Sequence, residues 1–287
     1  MGVATFVPEV WSPVLLTSLK KAEVYAALAN RDYEGEINQA GDTVHINSVS
    51  RPTLNTYTTY QTITVEQLTT ADRILTVDQA KYFAFGVDDV DKRQAAGNFL
   101  EGGIVEAAYA VADDIDKYIA GLYTQVATAN KVNSGTAVAV TTGDIAYTQI
   151  TQMKRKADEA NIPTQGRWLV VPPWVHALLL DTTKFNANPA GGAPAIGAVV
   201  ESALINGFVG RAAGFDIFMS NNAVLVTGDD YACLGGYRES IAVAEQINQV
   251  EAYRLQTGFQ DAVRGLHLYG AKVIRPDGLV YLLASQT

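Results

Sequence analysis

Histidine and cysteine, the side chains that most often carry acid–base or nucleophilic chemistry, are few and far apart in this sequence. The histidines are His45, His176 and His267, and none lies in an HExxH or HxxxH pattern. A zinc site or a histidine-based catalytic centre needs partners at defined spacings, and none can be assigned here. Cys233 lies in the apolar stretch Tyr-Ala-Cys-Leu-Gly-Gly without a neighbouring base, which is typical of a buried thiol. The sequence therefore predicts no catalytic residue among them.

Two further patterns resemble ligand sites but fit them poorly. Asp113, Asp114 and Asp116 lie close together in a predicted helix. A straight helix cannot wrap several oxygens around a cation, so we interpret them as a solvated acidic stripe. The glycines of Gly207–Gly214 follow neither GxGxxG nor GxxxxGK[ST], which favours tight turns over a phosphate loop. We predict no metal and no cofactor.

The charge composition limits the class of partner. The net charge is −9, and the longest basic run is Lys154-Arg155-Lys156. This excludes a protein that reads DNA sequence, because such binding needs Lys and Arg against phosphate. An acidic wall that only encloses DNA is compatible with it. Charged residues are 18% of the chain, below the usual quarter, which favours a subunit that covers its surface with neighbours. With one cysteine, no disulfide can form within the chain, as expected in a reducing cytoplasm.

The first part of the chain divides into an arm and a ribbon. Residues 1–36 form a predicted N-terminal arm, with helical spacing after Ser12-Pro13. The following segment, to Phe85, is rich in threonine and alternates in short β-branched stretches such as Val44-His45-Ile46. This pattern predicts a two-stranded ribbon. An isolated ribbon buries little surface, so we expect it to lie on something else, most readily a neighbouring subunit.

A long amphipathic helix is predicted next, from Asp91 to Ala127, about 55 Å in length. Its apolar residues recur every three or four positions, and the strands after Ile241 are the expected partners, particularly Leu266, Leu268 and Val273. We expect Glu101, Asp113, Asp116 and Lys117 to be more exposed. The expected buried stripe contains Leu100, Ile104, Val111, Ile115, Ile119 and Leu122.

The remainder reads as a mixed region followed by strands. Asp144 is predicted to cap a second helix that ends at Asn161-Ile162-Pro163, a buried strand follows at residues 168–171, and a short helix runs to Leu180. Residues 182–197 are predicted to be a mobile loop. Later strands are predicted at residues 215–220, 224–227, 241–245, 265–275 and 279–283.

The order of these parts resembles the major capsid protein of tailed bacteriophages, with the Hong Kong 97-type capsid fold. FVPEVWSPVLL, NRDYEGEI and GDTVHI resemble the entry from arm to E-loop in that family. GFVGRAAGFDIFMSNN (Gly207–Asn222) resembles a segment of its axial (A) domain, and GLHLYGAKVIRPDGLV (Gly265–Val280) resembles its closing strand. The resemblance covers nearly the whole chain.

This resemblance implies an α+β fold with five parts. They are an N-arm at 1–36, an extended E-loop hairpin at 37–86, a peripheral (P) domain with the spine helix at 87–142, an A domain at 143–238, and strands returning to the P domain at 239–287. The implied subunit-interface residues are Arg51, Thr56, Tyr57, Tyr60 and Thr62 in the E-loop and Phe6, Val10 and Trp11 in the arm. Gly102-Gly103 is the expected bend of the spine helix.

The implied function is a non-enzymatic coat protein that assembles as pentamers and hexamers into the icosahedral head of a virion, in the host cytoplasm. The implied partners are other copies of the chain, a portal and a separate scaffolding protein, with a decoration protein left open. The head encloses double-stranded DNA without sequence-specific binding, and no membrane is involved. The alternatives are an encapsulin-type nanocompartment shell, a soluble enzyme with an unrecognised site, and a phage tail or decoration protein.

One departure from some relatives concerns covalent crosslinking. Those relatives join subunits through an E-loop lysine and an asparagine on a neighbour. Here no lysine occurs between Lys21 and Lys81. We therefore expect shells that need no covalent bond between chains.

Overall fold

The structure is a computed structural model, and it describes residues 24–32, 43–49, 52–63, 65–67, 70–88, 99–181, 208–255 and 260–287. None of the helices in these ranges has the length and apolar character needed to cross a membrane. The α-helices are α1 (Tyr25–Leu28), α2 (Phe99–Ala120), α3 (Gly143–Glu159) and α4 (Pro173–Asp181). The strands are β1 (Thr43–Val49), β2 (Thr70–Thr76), β3 (Gln79–Asp88), β4 (Val138–Ala139), β5 (Arg167–Val171), β6 (Phe208–Ala212), β7 (Phe215–Met219), β8 (Leu225–Thr227), β9 (Asp230–Tyr237), β10 (Ile241–Arg254), β11 (Gln260–Val273) and β12 (Leu279–Ser285).

Strands β1 and β2 pair antiparallel, from Thr43 opposite Thr76 to Val49 opposite Thr70. This confirms the predicted ribbon at its root. The described residues between the two strands form no further strand. We call β1, β2 and the residues between them the ribbon.

A three-stranded antiparallel sheet has the order β10-β11-β3. Most of β3 lies within the segment expected to be the E-loop (37–86), and it pairs with β11. The ribbon crosses one face of this sheet, where Val44, Leu75 and Val77 pack against Leu268 and two alanines of β10. Gly270 allows this crossing, since a Cβ atom there would overlap the Thr76 carbonyl oxygen and come within 2.9 Å of Val77 Cα.

Helix α2 packs against the opposite face of the three-stranded sheet. The predicted stripe is confirmed wherever the structure describes its side chains, and Ile115 and Ile119 are fully buried. The strands after Ile241 are the partners of α2, as predicted. Of the three residues expected to lead this contact, Val273 joins the core, whereas Leu268 faces the ribbon and Leu266 is partly exposed. Leu266 and Leu268 were misassigned because successive residues of a strand point to opposite faces, and these two share the ribbon's face.

A larger sheet has the order β4-β12-β9-β5-β7-β6, with β8 beside β9. One face carries α3 and α4, and the other face joins the core around α2. Alternate residues of β5 serve the two faces: Trp168 belongs to the α2 core and Leu169 to the α3 core. The last strand, β12, pairs antiparallel with β9 in this sheet.

Several element boundaries differ from the sequence predictions for identifiable reasons. Helix α2 ends at Ala120 and the chain continues as a 3-10 helix through Gln125, which keeps Leu122 buried. The N-cap of α3 is Thr142, whose hydroxyl accepts from the Ile145 N–H at 3.4 Å, while Asp144 lies in the first turn. The predicted loop at 182–197 lies outside the described residues.

Candidate assembly interface

The outer end of the ribbon closes in a tight turn. The Gln61 N–H donates to the Thr58 carbonyl at 3.0 Å, and the Gln61 side chain accepts from the Thr58 N–H at 3.2 Å. Tyr60 occupies the third position with φ of 67°, a conformation that usually calls for glycine or asparagine. Its side chain is 96% exposed. A large aromatic side chain is therefore held in solvent at a strained position, which is typical of a residue that serves recognition.

The E-loop residues predicted from the sequence lie on this outer part where the structure describes them. Thr56, Tyr57, Tyr60 and Thr62 are all exposed. Arg51 lies outside the described residues, as do the predicted arm residues Phe6, Val10 and Trp11.

Three aliphatic residues of this segment, which were not among the predicted interface residues, are also exposed. They are Leu54, Ile63 and Val65, at 97%, 74% and 90%. With Tyr57 and Tyr60 they form what we call the ribbon's apolar surface. Exposed large apolar side chains concentrated in one short segment are typical of an interaction site. The signal was present in the sequence, since these apolar residues lie in a segment too narrow to build a core.

The ribbon's root is fixed to the subunit itself, which corrects part of the expectation that the ribbon lies on a neighbour. Leu75 is fully buried on the chain's own sheet. His45 Nδ1 lies 2.6 Å from Asp72 Oδ2 across the two strands, in an exposed pair of the kind that contributes little stability. The ribbon is thus anchored at one end and presents its apolar surface at the other.

Asp116 contradicts the prediction that it is solvated. It is 2% exposed and lies beneath the segment that leads into α1. Its Oδ1 accepts from the Val24 N–H at 3.0 Å and the Tyr25 N–H at 2.7 Å, and its Oδ2 accepts from the Asn222 amide at 3.1 Å. Burial raises the pKa of Asp116, and these hydrogen bonds oppose the increase. Helical spacing predicted only one buried face of α2. Asp116 is buried on a second side of the helix, because α1 covers it there.

The other predicted exposures on α2 are closer to expectation. Lys117 is exposed and Asp113 is partly exposed, and the two form an ion pair one turn apart. The side chain of Glu101 is outside the described part. Gly102 and Gly103 both lie inside α2. A Cβ atom at Gly103 would come within 2.7 Å of the Phe85 ring, so this glycine allows β3 to approach the helix, and its role as a bend stays a prediction.

In the described part of the chain, the side chains capable of acid–base or nucleophilic chemistry do not come together in a reactive centre. Burial raises the pKa of the Cys233 thiol to about 12, so it is not a thiolate at neutral pH. His267 is 3% exposed and its ring stacks on Tyr269. A cavity of about 860 Å³ lies between the ribbon's root and the rest of the subunit. It is lined by the residues just after α1 and by segments near residues 160–163, 237–240 and 274–278. Its charged lining mixes both signs, including Arg73, Glu239 and Arg275.

Comparison with known proteins accounts for this combination of a packed body and an exposed ribbon. A family model described as phage capsid protein matches residues 72–282, well over half of the chain. This chain belongs to the phage capsid protein family. A comparison with curated proteins finds no match.

Solved structures agree with the family. A chain from Mycobacterium phage Che8 is 32% identical, with a TM-score of 0.73, and the match covers 91% of this chain and 90% of that one. The capsid of cyanophage P-SCSP1u matches at 18% identity and a TM-score of 0.70, covering 93% of this chain and 89% of that one. A virus-like particle from Pyrococcus furiosus matches at 12% identity and a TM-score of 0.58, covering 96% and 98%. The last two show the fold alone.

The α+β fold is therefore the Hong Kong 97-like capsid fold, and the protein is a major capsid protein of a bacteriophage. It is a structural protein that associates with copies of itself in the capsid of the virion. The nanocompartment alternative is the weaker one, since the family match and the 32% identical relative are both phage proteins.

Proposed function

We propose that this capsid protein assembles as pentamers and hexamers into the icosahedral head that encloses phage DNA, without catalytic activity of its own. The observation that carries the proposal is the ribbon's apolar surface, which no described part of the chain covers. Leu54 and Tyr60 are almost fully exposed in the single chain. Burying such side chains against a neighbour stabilises the contact by about 25 cal/mol per Å² of apolar area.

Repetition around a closed shell makes modest contacts sufficient. Each copy offers its ribbon to one neighbour and receives another, which is a head-to-tail contact that closes only when the geometry is right. Once several contacts form, each remaining contact is made at high effective concentration. The arm, through Phe6, Val10 and Trp11, and Arg51 in the ribbon are proposed to add to these contacts.

The remaining partners follow from the capsid role. They are a portal and a separate scaffolding protein, and a decoration protein stays open. The net charge of −9 supports an inner wall that encloses double-stranded DNA without binding its sequence. Assembly is proposed to take place in the host cytoplasm, and the parts of the subunit are proposed to follow the arm, E-loop, P-domain and A-domain division.

Electron microscopy of the expressed full-length chain tests assembly. We expect closed shells of uniform diameter. Tubes or isolated trimers would instead indicate a tail or decoration protein, and a monomer with activity on a small molecule would indicate an enzyme. Particles from a phage lysate should contain double-stranded DNA and a portal, whereas an enclosed enzyme would indicate a nanocompartment.

A ribbon variant tests the observation behind the proposal. Replacing Leu54, Tyr60 and Val65 together with serine should leave a folded subunit that no longer forms shells. Replacing the exposed polar residues Asn55, Thr59 and Gln67 of the same segment with serine is the matched control and should form shells normally. Normal shells from the first variant would show that the ribbon's apolar surface is not the contact.

A further inference from the structure

A buried carboxylate joins three parts of the chain that are distant in sequence. Asp116 of α2 accepts hydrogen bonds from the backbone at Val24 and Tyr25, 92 and 91 residues away, and from Asn222, 106 residues away. These three donors are neutral N–H groups. These partners supply no opposite charge, so the carboxylate acts by fixing the positions of the three segments relative to one another.

The turn that contains Asn222 is itself fixed. The Ser220 N–H donates to the Val171 carbonyl at 3.1 Å, and the Ser220 hydroxyl accepts from the Asn222 N–H at 3.1 Å. This places the Asn222 amide against Asp116 from the end of β7. The Ser-Asn-Asn sequence at 220–222 thus has a defined role, connecting the larger sheet to α2.

The segment after Tyr25 is held at separate points. The Asn30 N–H donates to the Ile241 carbonyl at 2.8 Å, and the Asn30 carbonyl accepts from the Val243 N–H at 2.9 Å. Arg31 pairs with Glu245 at 2.7 Å. Asp116 holds the opposite end, where the chain enters α1 from residues 1–23. Residues 24–31 are therefore clamped to β10 at one end and to Asp116 at the other.

We propose that Asp116 and Asn222 form a latch that holds residues 24–31 against α2 and the larger sheet, and that assembly with further copies of this chain depends on this latch. The inference rests on the proposed function, because its second readout is the yield of assembled shells. Asp116 acts as a positioning residue. Its Oδ1 accepts from the two backbone N–H groups at the start of α1, which lack partners within the helix.

Hydrogen exchange on the full-length chain tests the latch directly. In Asp116→Ala, peptides covering residues 24–30 should exchange at least about tenfold faster, because two charge-assisted hydrogen bonds are lost. Asn222→Ala should show a smaller effect at the same peptides. Asp116→Asn should keep near wild-type protection, since the Asn222 amide can turn over to accept from the new side chain. Glu106→Ala, an exposed acidic position on the same helix, is the matched control and should change nothing.

Assembly yield should follow the same order, with Asp116→Ala lowest. Unchanged protection at residues 24–30 in Asp116→Ala would overturn the latch, whatever the yield. Lost protection with wild-type yield would overturn the dependence of assembly on the latch. If Asp116→Ala does not fold, Asn222→Ala decides the same questions. Failure of the wild-type chain to form shells would instead contradict the proposed function, while the exchange data would still report on the latch.

Discussion

Ile115 lies where α2 meets both sheets, and its side chain is fully buried. Truncation to alanine removes packed methylene groups and leaves a cavity, so Ile115→Ala should cost about 2–5 kcal/mol of stability. Because a domain has only about 5–15 kcal/mol in total, the yield of assembled shells should fall sharply. Denaturant unfolding of the subunit measures the loss.

Val105→Ala on the same helix is the matched control for that experiment. Val105 is about half exposed, so its truncation should stay within about 0.5 kcal/mol. Equal losses for the two variants would mean that α2 presents a different face to the core.

His267 predicts a specific dependence of stability on pH. Burial lowers the pKa of His267 to about 4, the Asp114 carboxylate opposes this and Arg31 adds to it. The stability that the neutral, buried His267 contributes is therefore fully present above the unfolded pKa of about 6.5. It is lost as the pH falls toward 4, and the loss is at most about 3 kcal/mol. His267→Phe keeps a ring beside Tyr269 and should remove this part of the acid sensitivity. The free energy of unfolding is measured at several pH values for both proteins. If it falls equally steeply with decreasing pH in His267→Phe and in the wild type, the assignment to His267 is contradicted.

Residues whose environment is set by distant segments were the hardest to predict. Ile115 and Ile119 could be assigned to the core because helical spacing alone places them on one face. Asp116 could not, because the groups that cover it are about a hundred positions away in sequence. The interface tyrosines of the ribbon were predicted through the family resemblance, and their exposure agrees with that role, while the contact itself stays a prediction.

At the scale of elements, the ribbon depends on one close crossing at Gly270. Adding a side chain there forces the Thr76–Val77 backbone off the three-stranded sheet. Gly270→Ala should therefore release the ribbon's root, with overpacking of this kind costing about 1–3 kcal/mol. Hydrogen exchange in β1 and β2 should rise in this variant.

Gly121→Ala serves as the control for Gly270→Ala, since a Cβ atom at Gly121 would meet nothing within 4 Å. Its ribbon should exchange as in the wild type. An undisturbed ribbon in Gly270→Ala would show that the crossing can relax at little cost.

Element types followed from the sequence more readily than their pairing did. Alternation predicted the ribbon, and a period near 3.6 predicted α2. The same patterns cannot say which strands are neighbours, so neither the pairing of β3 with β11 nor that of β12 with β9 was predicted. Pairing is decided by tertiary packing, as the burial of β5 on both faces illustrates.

At the scale of the whole molecule, the shell should hold without covalent bonds between chains. The ribbon lacks the lysine that a crosslink to a neighbour would use, because none occurs between Lys21 and Lys81. Boiled and reduced particles should run on a denaturing gel as a single band at the mass of one chain. A ladder of larger species would contradict this expectation.

The central claim is that copies of this chain form the head through contacts in which the ribbon of each copy packs against a neighbouring copy. Cryo-electron microscopy of the assembled particle tests it most directly, through the burial of Leu54, Tyr57 and Tyr60. We predict a closed icosahedral shell of pentamers and hexamers in which these side chains are covered by an adjacent subunit. A shell in which they remain as exposed as in the single chain, or a particle that is not a closed shell, would contradict the account.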